Sequence, residues 1–100
     1  MDSFKAVYRI LNFLKMSELH DEFDDESFTP EYFGITERQF TSTLKRALDD
    51  GHIKGIILRT WGYGYAIENL SAPMITTAGL EYLEENSFMK KAARLAKGIR

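Results

Sequence analysis

The stretch that most constrains what this chain can fold into is residues 29–51, TPEYFGITERQFTSTLKRALDDG, because it spells out both ends of two helices and the turn between them. Thr29 is an N-cap, Pro30 takes N1, where the missing N–H is one of the donors left over anyway, and Glu31 adds a carboxylate that the helix dipole favours. Gly34 ends this short helix as its C′ residue. Thr36 caps the next helix, Gln39 three residues later completes a capping box, and Ile35 at N′ is placed to staple onto Phe40 at N4. Gly51 closes the second helix. One turn of helix, a tight turn and a longer helix make a helix-turn-helix.

The longer helix, Glu37 to Asp50, sorts its residues by face. Phe40, Leu44, Ala47 and Leu48 share one arc with Thr43 beside them, so that face belongs to a core. Roughly opposite stand Arg38, Ser42, Lys45 and Asp49, flanked by Thr41, Arg46 and Gln39. One reading is a recognition helix, with hydrogen-bonding side chains for base edges and Lys or Arg for phosphate. The plainer reading is an ordinary solvated face on which Lys45 and Asp49 form an i,i+4 pair. The face alone does not separate the two.

The whole chain sets the bounds. Its 100 residues make a single domain, 1–100, large enough for a modest core without cross-links. There is no cysteine, so neither a disulfide nor a thiolate metal site is available. No apolar run approaches a membrane span, and the N-terminus lacks the pattern of a signal peptide, so a cytoplasmic protein is expected, with no membrane partner. The net charge of −2 gives no average attraction to nucleic acid. The distribution is more informative: residues 18–31 are rich in acids with no Lys or Arg, and residues 88–100 hold Lys90, Lys91, Arg94, Lys97 and Arg100 with no acid. The acidic run HDEFDDE has neither the ligand alternation nor the turn glycine of a calcium loop. With His20 and His52 the only histidines and no glycine-rich phosphate loop, the reading is not an enzyme, with no cofactor, metal or small-molecule ligand.

Before the helix-turn-helix, Phe4, Val7, Ile10, Leu11 and Leu14 share a wide apolar arc, extended by Ala6 and Phe13, which predicts a central first helix covered from two directions, within the domain or by a partner subunit. The acidic loop, 18–28, is punctuated by Phe23 and Phe28, which pin it to the surface, and Ser27–Phe28 could form a short edge strand. After Gly51, Ile53 to Arg59 reads as a strand with Gly55 a bulge or close approach, and Tyr65 to Glu68 as its return. Residues 60–64 form a glycine-bearing loop carrying Trp61 and Tyr63, so the hairpin 53–68 is a wing. Ile75, Thr76 and Leu80 repeat the staple-and-cap code of the earlier helix, and Gly79 in the new first turn implies close packing. Asn86 and Ser87 break that helix. A last amphipathic helix, 88–99, is apolar on one face and basic on the other; it could close the core, add phosphate contacts or a dimer seam, or lie on a membrane surface.

The expected fold is therefore α+β, a winged helix-turn-helix with a C-terminal amphipathic helix. Two strings sharpen it. GITERQF followed by DDGHIKGI resembles the second and third elements of winged-helix domains, and ITTAGLEYL resembles the string that follows the wing in many of them. Together with ITTAGLEYLEENS and the lysine-rich end, these segments are similar to the YjcQ family of small winged-helix proteins from bacteria and their prophages. The resemblance implies a presumed nucleic-acid role and brings no catalytic residues.

These readings converge on a small DNA-binding regulator. Arg38, Thr41, Ser42, Lys45 and Arg46 would meet the major groove or phosphates, with Arg59, Trp61 and Tyr63 contacting the duplex from the wing. Double-stranded DNA is the expected partner. The alternative is a protein-interaction module without nucleic-acid binding, its contact or homodimer seam on the first or last helix.

Overall fold

The computed structural model of the chain describes residues 3–62, 64–69 and 73–86. Helix α1 is Ser3–Leu19, α2 is Pro30–Phe33 and α3 is Glu37–Asp49. Strands β1 (Ile53–Lys54), β2 (Ile57–Trp61), β3 (Gly64–Asn69) and β4 (Met74–Ile75) follow, and residues 77–86 form a last helix, α4. The architecture is α+β: helices, a small antiparallel hairpin after α3, and a further helix, the order of a winged helix-turn-helix. Tyr63 and the predicted helix 88–99 lie outside the described residues.

The caps read from the sequence are in place. The Thr29 hydroxyl accepts from the Tyr32 N–H at 3.3 Å, and the Thr36 hydroxyl accepts from the Gln39 N–H at 3.1 Å. Gly34 sits at φ +68° and Gly51 at φ +74°, the left-handed conformation that closes a helix. Around Gly51, the Gly51 N–H donates to the Leu48 carbonyl at 3.1 Å and the His52 N–H to the Ala47 carbonyl at 2.8 Å, the paired bonds of a Schellman end.

Phe28 stands at the centre of the core, only 3% exposed although it sits in a loop. Its ring lies 5.5 Å from Phe13, 5.5 Å from Phe23, 6.0 Å from Phe33 and 5.3 Å from Phe40, so one side chain joins α1, the acidic loop, α2 and α3. Ile10, Leu11 and Leu14 of α1 and Leu44 and Ala47 of α3 complete the buried cluster with Ile53, Ile56 and Leu83. Arg9 reaches from α1 to the end of α2, donating to the Phe33 carbonyl at 2.9 Å with its guanidinium 5.7 Å from the Phe33 ring centroid.

Two expectations are corrected. Ser27–Phe28 is not a strand: the Ser27 hydroxyl donates to the Asp24 carboxylate at 2.6 Å and the Thr29 N–H to the Ser27 carbonyl at 2.9 Å, so local turns occupy the backbone that a strand would need. The run 53–59 is two strands, because Gly55 at φ +83° redirects the chain. Ile53 and Lys54 pair with Ile75 and Met74, while β2 pairs with β3 up to Trp61 and Gly64, which puts Thr60 and Trp61 in the strand rather than in the loop. At the start of α4 Leu80 is 38% exposed, and Ile75 packs against Gly79, where an added Cβ would stand 2.6 Å from Ile75 Cγ1 and overlap the His52 carbonyl oxygen. The close packing predicted at Gly79 is there.

Candidate functional site

At 100° per residue, α3 turns a narrow strip outward, and the side chains on its two flanks diverge. Arg38, Ser42 and Asp49 are exposed on the strip. On one flank Lys45 faces the wing, its ammonium 5.9 Å from the Tyr65 ring centroid and 2.6 Å from the Asp49 carboxylate. The hydrogen bond that the Lys45 ammonium donates to Asp49 is the main cause that pushes the Lys45 pKa up from its ordinary value. On the other flank Arg46 lines a shallow hollow with Phe4, Asp50, His52 and Tyr82, away from the wing. In that hollow His52 Nδ1 is buried with no hydrogen-bond partner among the described residues, and its ring lies 4.9 Å from that of Tyr82. Burial, with Asp50 adding to it, pushes the Tyr82 hydroxyl up from its ordinary pKa.

Thr41 departs from the sequence reading. It is 5% exposed, and its hydroxyl donates to the backbone carbonyls of Glu37 at 3.1 Å and Arg38 at 3.2 Å, so it presents nothing to a base edge in this conformation. The cause is the position of β3, which packs against this flank of the helix and converts it from a margin into the wall of a groove.

That groove, of about 720 Å³, runs between the α2–α3 corner and the wing. Its floor is Phe28 and Phe40, and the wing side carries Arg59, Trp61 and Tyr65. Trp61, the single tryptophan of the chain, is 70% exposed. The helical wall carries Glu31 and Glu37, which the sequence pattern marks only as helix-start residues. The structure thus brings Arg59 and Trp61 together at one groove and sets Arg46 on the far side of α3. In the acidic loop, Asp21 and Glu22 line a different hollow with Leu14, Pro73 and Met74, which no residue of α3 lines. Among the described residues no cluster of His, Asp and Glu has the arrangement of a metal site, and no helix is long and apolar enough to cross a membrane.

Comparison with known proteins places the chain in a family. Residues 8–100 match the model of the family described as YjcQ protein, and the chain belongs to it. Neither a search of curated proteins nor one of solved structures finds a match.

Proposed function

We propose that this member of the YjcQ family binds double-stranded DNA through α3 and the wing, as a small transcriptional regulator. What supports the reading above all is the division of cations about α3: Arg38 and Ser42 stand on the outward strip, with Arg46 on one flank and Lys45 on the other. A helix lying in a major groove about 12 Å wide needs polar side chains at its front for base edges and cations on both sides for the two phosphate backbones. Arg59 and Trp61, both exposed on the hairpin beside the Lys45 flank, would extend those contacts beyond the groove.

The test uses Trp61 as its own reporter. Titration with mixed-sequence duplex should change the fluorescence of this exposed side chain, and the affinity should fall steeply as salt rises because cations released from the phosphates drive binding. Arg38→Ala should lose about 1–3 kcal/mol of binding if it reads a base edge, and Arg46→Ala should lower the salt slope by about one phosphate contact. Absence of binding at low salt would sink the proposal. A protein-interaction module is the second reading, favoured by Glu31 and Glu37, whose carboxylates in the groove oppose phosphate.

A further inference from the structure

The wing is a two-stranded sheet, one edge of which no other described strand uses. In the β2–β3 register, Trp61 is opposite Gly64, Thr60 opposite Tyr65, Arg59 opposite Ala66 and Leu58 opposite Ile67. Trp61 and Gly64 are too close along the chain to be anything but a hydrogen-bonded pair, and alternation along an antiparallel ladder makes Arg59–Ala66 the next. The N–H and C=O groups of Tyr65 and Ile67 therefore point away from β2. Among the described residues no strand pairs with that side of β3.

The groove described above lies along this edge. It is lined by Tyr65, Ala66 and Ile67 on one side and by Phe28, Thr29 and Pro30 on the other. The segment that faces β3 cannot supply the missing strand, because Ser27, Phe28 and Thr29 bond into local turns and Pro30 has no N–H to give. Gly64 and Ala66 are small, so Trp61 and Arg59 can lie across β3 and border the groove beyond it. An isolated hairpin is marginal in water, and a third strand supplies both ladder bonds and a covered face.

We propose that the outer edge of β3 is a docking site for an extended, lysine- or arginine-bearing segment of a partner protein, which adds as a third strand to the wing. The chemistry of the walls selects this occupant. Main-chain groups of Tyr65 and Ile67 hold an extended backbone, as in other cases of strand addition. Alternate side chains of such a segment fall on the apolar floor at Phe28 and Phe40, and the others reach Glu31 and Glu37. Two carboxylates against the one guanidinium of Arg59 leave the groove acidic, and no ion pair among the described residues engages Glu31 or Glu37. The site requires no duplex binding.

The experiment is a titration of the ¹⁵N-labelled full chain, without nucleic acid, with a capped octapeptide that alternates lysine and valine. The amide signals of Tyr65 and Ile67 should shift, and their hydrogen exchange should slow on saturation. Glu31→Gln combined with Glu37→Gln should weaken binding about fivefold, since exposed charge pairs are modest. Peptides with glutamate in place of lysine, or with alternate amides N-methylated, should not bind. The proposal is overturned if the lysine peptide leaves both amides unchanged at millimolar concentration, or shifts only residues of α1 or the outer strip of α3. It is equally overturned if both amides are already protected in the free chain at every concentration, which means the chain fills its own edge. Protection that grows with protein concentration would assign the edge to a second copy and overturn it too. Because neither partner is DNA, failure here leaves the duplex proposal standing, and the reverse holds.

Discussion

Gly79 shows how much a single missing side chain can decide. In the first turn of an exposed helix, alanine is better than glycine by about 1 kcal/mol, and a sequence-only reading of helix propensity favours the replacement. Here a Cβ would overlap the His52 carbonyl oxygen and stand 2.6 Å from Ile75 Cγ1; Ile75 is held in β4, and the His52 carbonyl accepts from the Thr76 N–H at 2.9 Å. Gly79→Ala should therefore destabilise the fold by about 1–3 kcal/mol, measured as a lowered urea midpoint at unchanged slope. The need for close packing at Gly79 was legible in the sequence, since a glycine inside a helix is a cost that some contact has to explain. Thr41 was not legible. A helical wheel places it at the edge of the polar face, and only the arrival of β3, a segment far along the chain, determines that this edge is covered.

At the scale of elements, all three of the first helices end the same way. After α1, Asp21 adopts φ +51°, its N–H donates to the Glu18 carbonyl at 3.2 Å, and the Glu22 N–H donates to the Ser17 carbonyl at 2.9 Å. This repeats the arrangement at Gly34 and Gly51, but with a side chain in a region that only glycine enters freely. Asp21→Gly should stabilise the chain by up to about 1 kcal/mol, read from thermal and urea unfolding, and would also relieve one charge of the acidic loop. Ends of helices were readable because their bonds close within five residues. Strand partners were not: Ile53 and Lys54 look continuous with Ile57–Trp61, and Gly55, which reads as a bulge or a close approach, instead sends the two pieces to different partners. The edge strand expected at Ser27–Phe28 failed for the converse reason. Phe28 had the right apolar character, but Asp24 and Ser27 offered the backbone a nearer set of bonds.

For the whole molecule, the loop residue Phe28 is as much a keystone as any helical one. Phe28→Ala would remove the ring that touches Phe13, Phe23, Phe33 and Phe40 at once, and should cost about 3–5 kcal/mol, a large share of the stability of a domain this size, measurable by urea unfolding of the full chain. The pinning of the acidic loop by Phe23 and Phe28 was legible from two aromatic residues in an otherwise charged run, whereas the groove that Phe28 floors was not, since its walls come from two separate segments of the chain, within 28–41 and 59–67. The reach of Arg9 into the end of α2 has a further consequence. The helix-turn-helix carries clear start and stop signals, yet the turn between its helices is tethered from behind by a residue of α1, and its inner rings rest on α1 and on the acidic loop. Residues 29–51 are thus not a transplantable cassette: moved onto another scaffold, they would bring their caps but not the angle between their helices.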